Sequence, residues 1–218
     1  MAQLIPEERK RNGAYLSLEN FNLRTGAGLE QIIILIRSGA FRFLGVGKKE
    51  LLWEAHLLLN KNRNTHSQVG QLFSTNAEKP QLPVFVTDEL ENLYDEIELM
   101  GFPVSGSIFD LAKSDYRGNA DAETLASFEG KVVRVVAHLV ASKTVRTKTG
   151  SLMKFGTFID HNGDFIDTVH FTQSLQKSPL RGKGLYLIEG KVTVDYDCPA
   201  IEVYRCAMMP IKPDPRSV

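Results

Sequence analysis

In the first third of the chain, apolar residues recur at intervals of three and four. Leu29, Ile32, Ile33 and Ile36 follow that spacing and Gly39 stands where a glycine closes a helix, so the pattern predicts a helix ending there. The same period returns over Lys48–Leu59, approached through Val46-Gly47, and the order reads helix, short glycine-containing hairpin, helix. Residues 60–86, rich in Asn, Gln, Ser and Pro, carry neither period and read as an exposed connector. Thr87 or Asp88 can then cap a helix with Leu90, Leu93, Tyr94, Ile97 and Met100 on its apolar side, stopped by Gly101-Phe-Pro103. Its outer face is expected to be acidic, through Glu89, Glu91, Asp95, Glu96 and Glu98.

From about Gly130 the period becomes two. Val132, Val133, Val135, Val136, Leu139 and Val140 form a long β-rich run that is expected to end in the polar segment Ser142–Gly150. Further strands are expected at Leu152–Asp160, Phe165–Phe171, Leu185–Val194 and Ile201–Cys206, with Asn162-Gly163 as a hairpin turn and a helix-sized insertion between the third and fourth. Five strands with a long first one and that insertion describe an OB-type barrel, in which the face over strands two and three and the loops joining strands one to two and four to five bind oligonucleotides. The fold class expected is therefore α+β, a helical N-terminal region followed by a five-stranded OB-fold β-barrel. The boundaries are residues 1–60, a connector with the acidic helix at 61–128, the barrel at 129–211 and a tail at 212–218.

The 218 residues are 43% hydrophobic and 24% charged, an ordinary globular composition that excludes disordered and collagen-like chains. Lacking any apolar run of about 20 residues and any apolar signal core, the sequence reads as cytoplasmic with no membrane contact. Formal net charge is zero but segregated: residues 1–60 carry eight basic and six acidic side chains, 61–128 five and eleven, 129–211 eleven and eight. Either basic end suits nucleic acid. Cys198 and Cys206 lack the spacing of a zinc site, so no metal is expected. Asp160-His-Asn-Gly-Asp164 superficially resembles a calcium loop, but its sixth and twelfth positions are Phe165 and Phe171, where Gly and Glu are required. With no phosphate-cradling glycine loop, nucleophile elbow or paired catalytic carboxylates, neither a catalytic residue nor a cofactor is expected.

Binding chemistry has more candidates. On the second strand Met153, Phe155, Thr157 and Ile159 share one face and Lys154, Gly156 and Phe158 the other, and alternation alone does not say which faces out. With the first set outward, Phe155 offers a base a stacking partner worth about 1–3 kcal/mol. His170 and Phe171 pose the same question on the third strand. Lys143, Arg146, Lys148 and Lys154 crowd the first hairpin, where a basic loop can follow a phosphate backbone without reading sequence.

Taken in order, three signatures resemble a known family. Ser17-Leu-Glu-Asn-Phe21 with Arg24, Leu29–Ile36 and Arg37-Ser-Gly-Ala-Phe41 resembles a helix-hairpin-helix element of the bacterial DNA polymerase III alpha subunit. Asp88–Glu98 running into Leu99-Met-Gly-Phe-Pro-Val-Ser105 resembles the stretch before that family's OB domain, and Lys148-Thr-Gly150, Met153-Lys-Phe155 and Phe158-Ile-Asp160 resemble the domain's own signature. The resemblance spans nearly the whole chain. It implies a non-catalytic DNA-binding segment of the replicase, either a piece of a longer chain or a separately encoded one, since the family's palm and catalytic aspartates lie N-terminal to the matched region. Single-stranded and duplex DNA would be its partners, with the sliding clamp and other replicase subunits.

Residue by residue, the resemblance implies duplex contact through backbone amides around Gly39, Ala40 and Phe41 and through Lys48 and Lys49. Arg42 stands where the family usually has an acidic residue, and adds positive charge. Gln68-Val-Gly-Gln-Leu-Phe73 resembles the family's clamp peptide, in which Leu72 and Phe73 would enter an apolar pocket while Gln68 or Gln71 bonds at the rim. Phe155 lies five residues before the hairpin Asp160, as does a stacking Phe in the anticodon-binding OB domains of aspartyl-type tRNA synthetases. The alternatives are thus a free-standing tRNA- or single-strand-binding module and a protein-interaction scaffold that docks the clamp.

Overall fold

A computed structural model of the chain describes residues 1–64, 85–86, 88–147 and 150–217. It divides into two units, Met1–Ser105 together with Asp214–Val218, and Gly106–Pro213.

The first unit is helical: α1 Leu4–Asn12, α2 Leu18–Thr25, α3 Leu29–Arg37, a 3-10 turn at Arg42–Leu44, α4 Lys48–Asn64 and α5 Glu89–Met100. Helices α3 and α4 stand where the apolar spacing puts them, and Gly39, at φ +79°, takes the left-handed conformation that ends the first. Asp88 caps α5 by accepting the Leu90 N–H at 2.9 Å. The spacing gave no sign of α1, which buries no residue and so carries no apolar period. The core joins Tyr15, Leu18, Phe21, Ile32, Ile36, Phe41, Leu51 and Ala55. Within it Phe21 meets Tyr15 and Phe41 edge-on at 4.9 and 5.0 Å. Arg24 ties α2 to α1, donating to the Glu8 and Gly13 carbonyls at 2.7 and 3.1 Å.

The second unit is a closed barrel of β1 Val132–Arg146, β2 Leu152–Ile159, β3 Phe165–His170, β4 Leu185–Asp195 and β5 Cys198–Met208, with α6 Thr172–Lys177 between β3 and β4. Around the barrel the strands run β1-β2-β3-β5-β4 and return to β1, with β3 and β5 parallel and every other pair antiparallel. That is the five-stranded OB-fold, so the fold is α+β as expected. Its core gathers Val133, Val135, Ala137, Phe158, Ile166, Tyr186, Ile188, Val192 and Ile201.

Two expectations are corrected. The strand β1 does not stop at Ser142: it continues to Arg146, where Lys143, Val145 and Arg146 pair with Phe155, Met153 and Leu152. Only Val132–His138 pair with β4, so the last third of β1 stands clear of the barrel wall and its polar residues meet solvent on both faces. Residues within 106–128 pack with the barrel: Phe109 and Leu125 are buried, Gly118 bridges to Val135, and Ala112 bridges to Ile211.

Candidate nucleic-acid interface

From Phe155 to Ile159 on β2 the burial alternates as a two-residue period demands. Phe158 is fully buried and Gly156 lies beneath it, while Phe155 is 44% exposed on the opposite face. Gly156 has no room for a side chain, since a Cβ there would meet the Phe158 ring and the Thr168 hydroxyl at 2.8 Å each. Phe155 is paired with Lys143 on β1 and Val169 on β3, so an exposed cation and an apolar side chain flank the ring.

Among the described residues the first-hairpin cations do not form one cluster. Because neighbouring positions face opposite ways, Lys143 shares the Phe155 face, whereas Thr144 and Arg146 share the other with Lys154. Lys154 turns back, its ammonium donating to the Leu180 carbonyl at 3.0 Å. Lys143 and Arg146 are exposed and meet no carboxylate among the described residues. Lys148 lies outside the described residues, as do Gln68, Leu72 and Phe73 of the clamp-like peptide.

His170 is corrected outright as a contact residue. It is fully buried, with Nε2 3.0 Å from the Thr168 hydroxyl, and no base can reach it. Burial and then the nearby Lys154 charge push its imidazole down to about 4, so it is neutral near pH 7. Phe171, next in the chain, is exposed.

The sequence reading passed over several exposed aromatics, Tyr196 the most exposed of them. Tyr196, with Asp197, makes the two-residue turn between β4 and β5, both at positive φ (+50° and +60°), and is almost wholly exposed. A bulky residue in that conformation is unusual. The segment Asp195–Pro199 reads only as a turn in sequence, because nothing in it fixes how the ring is displayed. The calcium-like loop also has a local role. Asp160 is buried, its carboxylate accepting the N–H groups of Asn162, Asp164 and Ala122 at 2.9–3.0 Å.

In the helical unit the residues expected to hold duplex DNA have other partners. The Gly39 and Ala40 amides donate to the Ile36 and Leu35 carbonyls at 3.0 and 2.9 Å, closing α3. Arg42 pairs with Glu96, Lys48 with Asp95, and Lys49 with Glu91 at 2.9 Å, while Arg37 reaches Asp95 and Glu98 at 2.8 and 2.7 Å. The bare α carbon of Gly39 lets Arg42 pass: a Cβ would lie 2.5 Å from its guanidinium carbon.

The acidic outer face of α5 is thereby corrected, for Asp95 and Glu96 are buried. Glu96 also accepts the Val104 and Ser105 N–H groups at 2.6 and 2.8 Å. Burial alone would raise its pKa, but the Ser105 and Val104 amides and the Arg42 guanidinium outweigh it and hold the carboxyl below its usual range.

The barrel and its one-sided display of Phe155 and Lys143 define an OB-fold protein with an exposed aromatic–cation face. The chain is similar to DNA polymerase III subunit alpha of Borreliella burgdorferi, 29% identical over 211 residues that cover 88% of this chain and 18% of that protein. It is also similar to the subunit of the same name from Halalkalibacterium halodurans, 29% identical over 163 residues covering 72% of this chain and 14% of that one. The resemblance carried by the sequence motifs is thus shown, and the chain spans less than a fifth of the length of these relatives. No protein-family model matches it. Among solved structures, the single-stranded DNA binding protein from Thermus aquaticus aligns with a TM-score of 0.34 and 15% identity over 38% of this chain and 41% of its own. The second OB-fold domain of replication protein A from Methanococcus maripaludis aligns at 0.31 and 18%, over 39% and 90%. Likenesses of this size add nothing to the strand order already given.

Proposed function

We propose that this chain is a non-catalytic DNA-binding segment of a replicase resembling DNA polymerase III alpha, and that its barrel holds single-stranded template. The observation that carries this reading is Phe155, exposed at mid-strand with Lys143 paired beside it. A base stacked on the ring and a phosphate at the ammonium need no sequence-specific contact, which suits a surface that must accept any template. Fluorescence anisotropy with a labelled oligo-dT of about 20 nucleotides tests it. Binding that weakens as salt rises, and falls about fivefold or more in Phe155→Ala, is expected; no binding at low salt overturns the reading.

Duplex contact through Arg42, Lys48 and Lys49 requires these cations to exchange the carboxylates of α5 for phosphates, so the helical unit contributes less to affinity than the barrel. Clamp docking through Gln68, Leu72 and Phe73 belongs to the same proposal. Capture by a sliding clamp that is unchanged in Leu72→Ala with Phe73→Ala removes the peptide from it.

A further inference from the structure

Other exposed aromatics sit on the strands beside Phe155. Beyond β3 the backbone stays extended through Phe171 (φ −77°, ψ 165°), so the alternation of outward Val169 and inward His170 carries Phe171 outward, and it is 44% exposed. Val169 is the ladder partner of Phe155, which puts Phe171 on the diagonal, about 7–8 Å away between α carbons. On β5, Glu202 is matched with Val169 and runs parallel to it, so Tyr204 advances on the same side as Phe171, one strand further on.

Alternation after Glu202 turns Tyr204 outward, and a bulge there turns Arg205 outward beside it. Val203 pairs with Gly190 and Arg205 with Glu189, leaving Tyr204 without a β4 partner and both residues outward between buried Val203 and Cys206. Bulges re-aim side chains in this way, often beside binding sites. Tyr204 is 45% exposed, and none of the three rings stacks on another aromatic side chain among the described residues.

We propose that Phe171 and Tyr204 continue the stacking surface begun by Phe155, so that single-stranded DNA crosses the strands from β2 past the end of β3 to β5, with about one base on each ring. The proposal rests on the reading of the barrel as a single-strand holder. Charge sets the direction of the path. Phe165, at the other end of the same face, is also exposed, but it follows Asp164 and shares its side of β3 with Asp167, which accepts the Thr157 hydroxyl at 2.8 Å. A phosphate chain is repelled there and attracted at Lys143. Along the proposed path Glu202 has Lys191 as its ladder partner on β4, which offsets its charge.

The test is oligo-dT anisotropy at low salt on the full chain and on Phe155→Ala, Phe171→Ala, Tyr204→Ala and Phe165→Ala, each checked for its melting transition. Phe171→Ala and Tyr204→Ala are each expected to weaken binding about fivefold or more, Phe165→Ala less than twofold, and Tyr204→Phe, which keeps the ring, to bind like the parent. Should Phe171→Ala fail to fold, Phe171→Leu keeps the apolar volume without the aromatic face. Unchanged binding on loss of either ring, with Phe155→Ala still impaired, overturns the path and leaves the barrel reading standing. An absence of binding by the parent chain overturns both.

Discussion

His170 makes the barrel sensitive to acid. The Thr168 hydroxyl donates to the Gly156 carbonyl at 2.9 Å, so at its 3.0 Å contact with His170 it acts as acceptor and Nε2 bears the proton. Nδ1 is then a buried lone pair with no partner among the described residues. Protonating it creates both a charge and an unmatched N–H in the core, beside the Lys154 charge. The folded-state value of about 4 lies below the usual 6.5, so the native state resists protonation and the unfolded state accepts it. Stability linked to this group is therefore fully present above pH 6.5, declines as pH falls towards 4, and is lost below. The gap of about 2.5 units amounts to roughly 3 kcal/mol in full, of which about 2 kcal/mol is lost by pH 5.

The comparison is His170→Phe, which cannot titrate there. The difference in unfolding free energy between variant and parent should change by about 2 kcal/mol between pH 7.5 and pH 5, in the variant's favour. Exchange of the β2 and β3 amides is the suitable probe, because the single tryptophan, Trp53, lies in the helical unit and does not report on the barrel. Parallel pH profiles for the two proteins, or an imidazole that titrates near 6.5 in the folded state, would refute the reasoning.

Two further substitutions test the frame around the interface. Glu96→Leu strips the Val104 and Ser105 amides of their acceptor and should cost roughly 2–4 kcal/mol, whereas Arg42→Ala, which leaves those amides on the carboxylate, should cost less; urea titration followed by Trp53 fluorescence separates them. Gly190→Ala would press a Cβ to within 2.3 Å of the Glu202 carbonyl oxygen at the bulge, and is expected to cost more than about 3 kcal/mol or to prevent folding of the barrel, seen as loss of its cooperative transition.

What the sequence disclosed depended on how local the cause was. The strands after Leu152 were legible, the last only as Ile201–Cys206 within Cys198–Met208, because alternation and turn residues such as Asn162-Gly163 act within a few positions. The full length of β1 was not, since a ladder that leaves the barrel loses its apolar side and reads as loop. Charges misled most. Asp95 and Glu96 look like a solvated helix face, yet their cations, Lys48 and Arg42, lie 47 and 54 residues away in the chain, and no periodicity records that pairing. His170 and Lys154 likewise turned inward, one to a threonine hydroxyl and the other to a carbonyl. The outward turn of Arg205 beside Tyr204 depends on one unpaired bulge residue that strand periodicity cannot show.

The strand order also limits how another protein could join this one. A sheet closed on itself offers few unmatched amides, so a visiting extended peptide cannot zip onto most of the barrel and must recognise side chains instead. The far third of β1 is different: past Leu139, whose amide still donates to the Gly184 carbonyl at 3.0 Å, it has left β4, and one backbone rim lies open there. An irregularity between Leu139 and Ala141 twists that rim, and Lys143 and Arg146 keep it charged, which discourages a second copy from stacking edge to edge. The lysine that flanks Phe155 thus also guards an open strand edge against pairing with another chain.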